Sequence, residues 1–146
     1  MSLDQRIERL PHRPPFRFLS RLSKVESGNV TGTWDVGDDE WFLSGHFPER
    51  PIVPGVLITE ALAQLAGLAV DTVLEEEFND MLGMLASSDM RFRRPVLPPA
   101  SIELEARIHR SLGQLHLLKV SASVDGERCA DGTIGLLVSE MPEDFN

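Results

Sequence analysis

The 146-residue chain has the length of one ordinary domain, and its net charge of −9 argues against nucleic acid as the main partner. Its single cysteine, Cys129, excludes an intrachain disulfide framework and fits a reducing compartment. Leu3 to Leu10 mixes charged with apolar residues, so no signal-peptide core is expected there and the localisation reads as cytoplasmic.

From Ile7 to Pro15 the sequence predicts a short helical turn and then a stiff loop, because His12-Arg13-Pro14-Pro15 forces extended backbone before each proline. Phe18–Val25 and Asn29–Val36 read as strands, with Ser27-Gly28-Asn29 as the hairpin signal between them. Gly37-Asp38-Asp39-Glu40 is a turn, followed by the apolar anchors Trp41, Phe42 and Phe47. Gly45 to Gly55 holds three prolines and two glycines, a density no helix or strand tolerates.

The next stretch is apolar on almost every side. Val56 to Val70 has Glu60 as its only ionisable group, with Thr59 and Gln64 as its other clearly polar residues. A helix hydrophobic all round is a buried helix, and this run is too short to span a membrane. The helix continues to about Leu74, where Glu75-Glu76-Glu77 leads into solvent. Glu60 and Gln64, four apart, share one face. A carboxylate buried without a partner is costly, so Glu60 is either a functional group or part of a buried polar network.

Met81–Phe92 then reads as a strand, and Arg93–Ala100 as a loop with three prolines. Ser101–Ser111 alternates, with Ile102, Leu104, Ala106 and Ile108 on one face. Leu115–Val124 and Arg128–Val138 are two more strands, with turns at Gly113 and Asp125-Gly126, and Met141–Asn146 reads as a tail. Two strands, a long helix and four strands make an α+β pattern in one domain over residues 1–146: an antiparallel sheet covering one buried helix.

Gly45-His46-Phe47-Pro48-x-Arg50-Pro51-Ile52-x-Pro54-Gly55-Val56-Leu57, followed by Glu60-Ala61-x-Ala63-Gln64, resembles the signature of the 3-hydroxyacyl-[acyl-carrier-protein] dehydratases of fatty acid synthesis. Leu10-Pro11-His12-Arg13-x-Pro15-Phe16, Phe92-Arg93-Arg94-Pro95-Val96 and Val124-Asp125-Gly126 extend the resemblance over nearly the whole chain. It implies a hot-dog fold of about six strands around a central helix. It implies a homodimer with active sites at the interface, commonly built into a trimer of dimers. It also implies an acyl carrier protein as partner; no metal-ligand spacing and no phosphate-binding loop is visible in the sequence, so no cofactor and no metal are expected. In the family the catalytic pair is the His of the Gly-His-Phe-Pro loop and an acid fourteen residues on, here His46 and Glu60. Glu rather than Asp at the acid position resembles the Z-type enzymes, which only dehydrate. The chain departs from the family pattern at Glu49, at Ser20-Arg21 and at Pro14, and it has no tyrosine.

Removing water from a 3-hydroxyacyl thioester needs a base, an acid and a group to hold the developing enolate oxygen. A neutral His46 suits the base, and Glu60 suits the acid if burial raises its pKa. The helix N-terminus opposes that shift, so its net direction is open at this point. Gly55 lets a carbonyl approach its N–H at the helix start. Gln64 is expected to hold the carboxylate or a water. Each also has a structural alternative: a histidine bonded to a carbonyl, a turn glycine, a carboxylate with a buried partner. Thr59, His12, His109 and His116 are read as structural, and Cys129 as a small core residue. Arg50, Arg91, Arg93 and Arg94 are candidates for an entrance that receives the acidic carrier protein. Rival readings are a thioesterase or polyketide-type dehydratase of the same fold, or a non-catalytic acyl-binding subunit.

Overall fold

The computed structural model describes residues 1–45, 49–75, 77 and 81–140, with backbone alone at residues 81 and 82. The elements run α1 (Leu3–Ile7), β1 (Arg21–Glu26), β2 (Asn29–Val36), α2 (Gly55–Leu74), β3 (Met81–Phe92), β4 (Ala100–Leu112), β5 (Leu115–Val124) and β6 (Glu127–Glu140). The six strands form one sheet in the order β1-β2-β4-β5-β6-β3, and every neighbouring pair is antiparallel. The expected meander of the last three strands is present, and β3 crosses over to the edge beside β6. Register shifts at Leu22/Lys24, Leu85/Ser87, Ile108/Arg110 and Ala122/Ser123 are the bulges by which a sheet bends around a helix.

α2 packs against all six strands. Its apolar composition is matched by burial, with Ala61, Leu62, Leu65, Ala66, Ala69 and Val70 fully enclosed. Burying each such leucine contributes roughly 1.5–3 kcal/mol relative to exposure. β4 shows why the sheet has one wet face: Ile102, Leu104 and Ala106 are buried while Glu103, Glu105 and Arg107 between them are exposed. The β5–β6 turn places Asp125 at φ 51° and Gly126 at φ 78°, the paired positive φ of a type I′ hairpin turn.

Three sequence expectations need correction. The short helix lies earlier than Ile7–Pro15, because Ser2 and Gln5 form a reciprocal capping box that starts it at Leu3. The first strand begins at Arg21 rather than Phe18: the Phe18 N–H donates to the Gln64 side chain instead of to a neighbouring strand. The helix, at 20 residues, is long and apolar enough to cross a membrane by length and composition; it is a core helix because the sheet covers it. Phe47 and the tail Met141–Asn146 lie outside the described residues.

Candidate active site

The Pro-rich loop delivers α2 at a fixed point. Val53 donates its N–H to the Val96 carbonyl at 2.9 Å, tying this loop to the β3–β4 loop. Pro54 is the cap, and its carbonyl accepts from Leu57 at 3.0 Å and Ile58 at 3.2 Å. The Gly55 amide has no acceptor among the described residues, as expected for the first donor of a helix. A Cβ at position 55 would stand 3.0 Å from the Phe92 ring, so a larger residue there would press on that side chain beside the amide. The Thr59 hydroxyl donates to the Gly55 carbonyl at 3.1 Å, the helix-bonded role read for it.

Glu60 follows at a half-buried position of α2, in a cleft of about 170 Å³ whose walls include Leu10, Pro11, His12, Gly67 and Leu85. Its side chain keeps a quarter of its surface accessible. Burial pushes its carboxyl above the usual carboxylate range, and this resolves the direction that sequence alone left open. No arginine or lysine stands within ion-pair distance of it among the described residues; its charged-partner candidate is His12, with Nε2 4.0 Å from Oε1. His12, read from the sequence as structural, stands with Glu60 in the walls of this cleft.

Gln64 is 1% exposed and lies one turn beyond Glu60, but its amide is engaged elsewhere. Its Oε1 accepts from the Phe18 N–H at 2.9 Å and its Nε2 donates to the Phe16 carbonyl at 3.0 Å. The side chain therefore fastens the segment that follows the Leu10-Pro11-His12 wall of the cleft, and of the two expected partners, the carboxylate or a water, it makes no hydrogen bond to the carboxylate. His46 lies outside the described residues.

The four arginines divide into two pairs. Arg93 binds both oxygens of Asp131, and Arg94 donates to Glu127 at 2.6 Å, so both are neutralised at the rim of a second, open groove of about 410 Å³. Arg50 and Arg91 are exposed and have no carboxylate within 4 Å among the described residues. Of the remaining histidines, His116 is buried and bonded to the Ser111 hydroxyl at 2.8 Å, and His109 is exposed. Cys129 is a buried free thiol whose pKa burial pushes up, as an inert core cysteine requires. No group of His, Cys, Asp or Glu among the described residues could hold a metal ion.

The architecture is that of the hot-dog proteins. The dehydratase heterocomplex ApeI:P from Xenorhabdus doucetiae superposes with a TM-score of 0.77 at 18% identity, covering 98% of this chain and 93% of that one. A hypothetical thioesterase of Streptococcus pneumoniae, solved with coenzyme A, gives 0.65 at 14% identity over 84% and 87%. At such identities the likeness establishes the fold alone. Sequence narrows it: residues 10–133 match the FabA-like domain. The 3-hydroxyacyl-[acyl-carrier-protein] dehydratase FabZ of Listeria welshimeri is 42% identical over 139 residues, 93% of this chain and 94% of the relative. Its counterpart in Ruminiclostridium cellulolyticum is 46% identical over 129 residues, 87% and 89% of the two chains. The chain belongs to the FabA-like family and, within it, to the 3-hydroxyacyl-[acyl-carrier-protein] dehydratases.

Proposed function

We propose that the protein dehydrates 3-hydroxyacyl-[acyl-carrier-protein] to trans-2-enoyl-[acyl-carrier-protein], in fatty acid or related acyl synthesis, in the cytoplasm. The observation that carries this is Glu60: a carboxyl raised by burial, with no arginine or lysine within ion-pair distance among the described residues, at the edge of a cleft beside a helix start. The identity to the FabZ dehydratases supports the substrate class.

In this reading His46 removes the proton next to the thioester carbonyl. The carbonyl oxygen gains charge as the enolate forms, and the Gly55 N–H receives it at the positive end of α2. Glu60 then protonates the departing hydroxyl, so that water leaves and the enoyl thioester remains. An acid that must begin protonated works best when its pKa is moved up toward the working pH. Turnover falls as the pH rises through that raised pKa, so the limb due to Glu60 lies above the ordinary glutamate value of about 4.3.

The site is completed in a homodimer. β3 is an edge strand of 12 residues whose Met84 and Leu85 are about half exposed, and Gly83 and Leu85 also wall the Glu60 cleft. A second copy added along this edge would satisfy the open backbone, cover the apolar side chains and bring a second set of loops to the cleft. The acidic carrier protein is received by Arg50 and Arg91, which have no carboxylate within 4 Å among the described residues, with Arg93 and Arg94 as minor contributors.

The test is wild-type turnover of a short 3-hydroxyacyl carrier-protein thioester, followed at once by enoyl-thioester absorbance and by a thiol-reactive dye. Enoyl formation with a silent dye is the expected result. Dye signal without enoyl product means hydrolysis and overturns the reading.

A further inference from the structure

A second titratable group faces Glu60, and the reaction as described does not use it. His12 stands on the segment between α1 and β1, with Nε2 4.0 Å from Glu60 Oε1. Its other ring nitrogen, Nδ1, is buried without a hydrogen-bond partner among the described residues. The backbone beneath the ring is fastened. Arg17 reaches the His12 carbonyl through Nη2 at 3.1 Å and Nε at 3.3 Å, and Arg13 Nη1 donates to it at 2.9 Å. Phe16 stacks on the ring at 6.5 Å between centroids, and the Phe16 carbonyl is the one held by Gln64. The helix that carries Glu60 thus also fixes the chain that carries His12.

We propose that His12 is a positioning residue for Glu60: a neutral imidazole, protonated on Nε2, whose N–H is presented to one carboxyl oxygen so that the other oxygen, bearing the proton, faces the substrate. The proposal rests on the reading of Glu60 as the acid. The tautomer follows from burial. A proton on Nδ1 would be a buried donor with no acceptor, at the full cost of desolvation, and the imidazolium would carry the same orphan. Desolvation and the charge of Arg17 also push the His12 pKa down, which keeps the ring neutral. Among the described residues lining the cleft only His12 and Glu60 titrate: α2 otherwise contributes Ala63, Gln64 and Gly67, β3 contributes Gly83 and Leu85, and β6 contributes Leu136. Arg17 is itself paired with Glu8, at 2.9 Å, so its charge on the ring is partly offset. The 4.0 Å separation is too long for a hydrogen bond, and sites without substrate often hold such contacts open until it arrives.

Two measurements decide this. The ¹⁵N shifts of the His12 ring in the native wild-type assembly should show a neutral Nε2–H tautomer at neutral pH. An Nδ1–H tautomer or an imidazolium overturns the proposal, and this needs no variant to fold. In parallel, kcat and KM are followed against pH for wild type, His12→Leu and His12→Gln. The leucine variant should lose about tenfold in kcat with KM nearly unchanged, and its alkaline limb should move up, because the donor that favours the carboxylate is gone. His12→Gln, which restores an N–H, should recover most of the rate and the limb. Equal loss in both variants, or a loss without movement of the limb, assigns His12 a packing role only. Glu60→Gln is the control: full turnover there would overturn the acid reading itself and the positioning role with it.

Discussion

Glu60 and Asp71 are the two carboxylates on α2, and the protein treats them in opposite ways. Asp71 is 2% exposed and fully matched: Arg9 donates Nε and Nη2 to its two oxygens at 2.6 Å each, and the same guanidinium bonds the Glu75 carbonyl at 2.8 Å. Charge meets charge there, and a helix C-terminus receives the cation its dipole favours. Glu60 is only partly buried, yet it has no arginine or lysine beside it among the described residues, and its pKa moves up. The carboxylate with an arginine beside it ties α2 to the N-terminal segment; the one that faces His12 in the cleft is, in the proposed reaction, the one that gives away a proton.

That contrast can be broken in several ways. The largest effect is expected away from both acids, at the base: His46→Ala should lower kcat by about 10³-fold while the melting temperature holds. An intact rate would leave Glu60 an acid without a partner. Next, Arg9→Met leaves Asp71 buried and uncompensated, and should cost about 3 kcal/mol of stability in denaturant titration. Turnover per folded molecule should stay at the wild-type value; a parallel loss of activity would merge the two ends of the helix. Gly55→Ala puts a methyl against the Phe92 ring at 3.0 Å, and should lower kcat about tenfold by obstructing the amide, with only about 1 kcal/mol lost in stability because the half-exposed ring can yield. The smallest effect concerns the entrance: reversing Arg50 and Arg91 to Glu should raise KM for the carrier-bound substrate about fivefold at low salt, more than reversing Arg93 and Arg94 does. The reverse order would show that the pairs with Asp131 and Glu127 open on docking.

The fold was legible because its signals are local and periodic. Asn29–Val36, Met81–Phe92 and Leu115–Val124 appear with the bounds expected, and the apolar run after Pro54 is the expected buried helix. The start of β1 was misread because what orders the segment before it is not local: Phe16 and Phe18 are held by Gln64, more than forty residues away. The same distance hid the fate of Gln64 and the contact of His12 with Glu60. The Arg9–Asp71 pair, 62 residues apart, could not be inferred from spacing at all. The direction of the Glu60 pKa needed the burial of its cleft, which sequence places only in outline.

The most direct test compares Glu60→Gln with Asp71→Asn, measuring dehydration of a 3-hydroxyacyl carrier-protein thioester and thermal unfolding on the same samples at neutral pH. Glu60→Gln should fold and melt at or above the wild type: a group with a raised folded pKa adds stability below its unfolded pKa and loses it as pH rises through the folded one, so removing the ionisation at neutral pH removes a cost. Its turnover should fall by about 10³-fold. Asp71→Asn should melt lower and turn over normally per folded molecule. Loss of turnover in Asp71→Asn alone, or in neither variant, would contradict the assignment of the proton to Glu60.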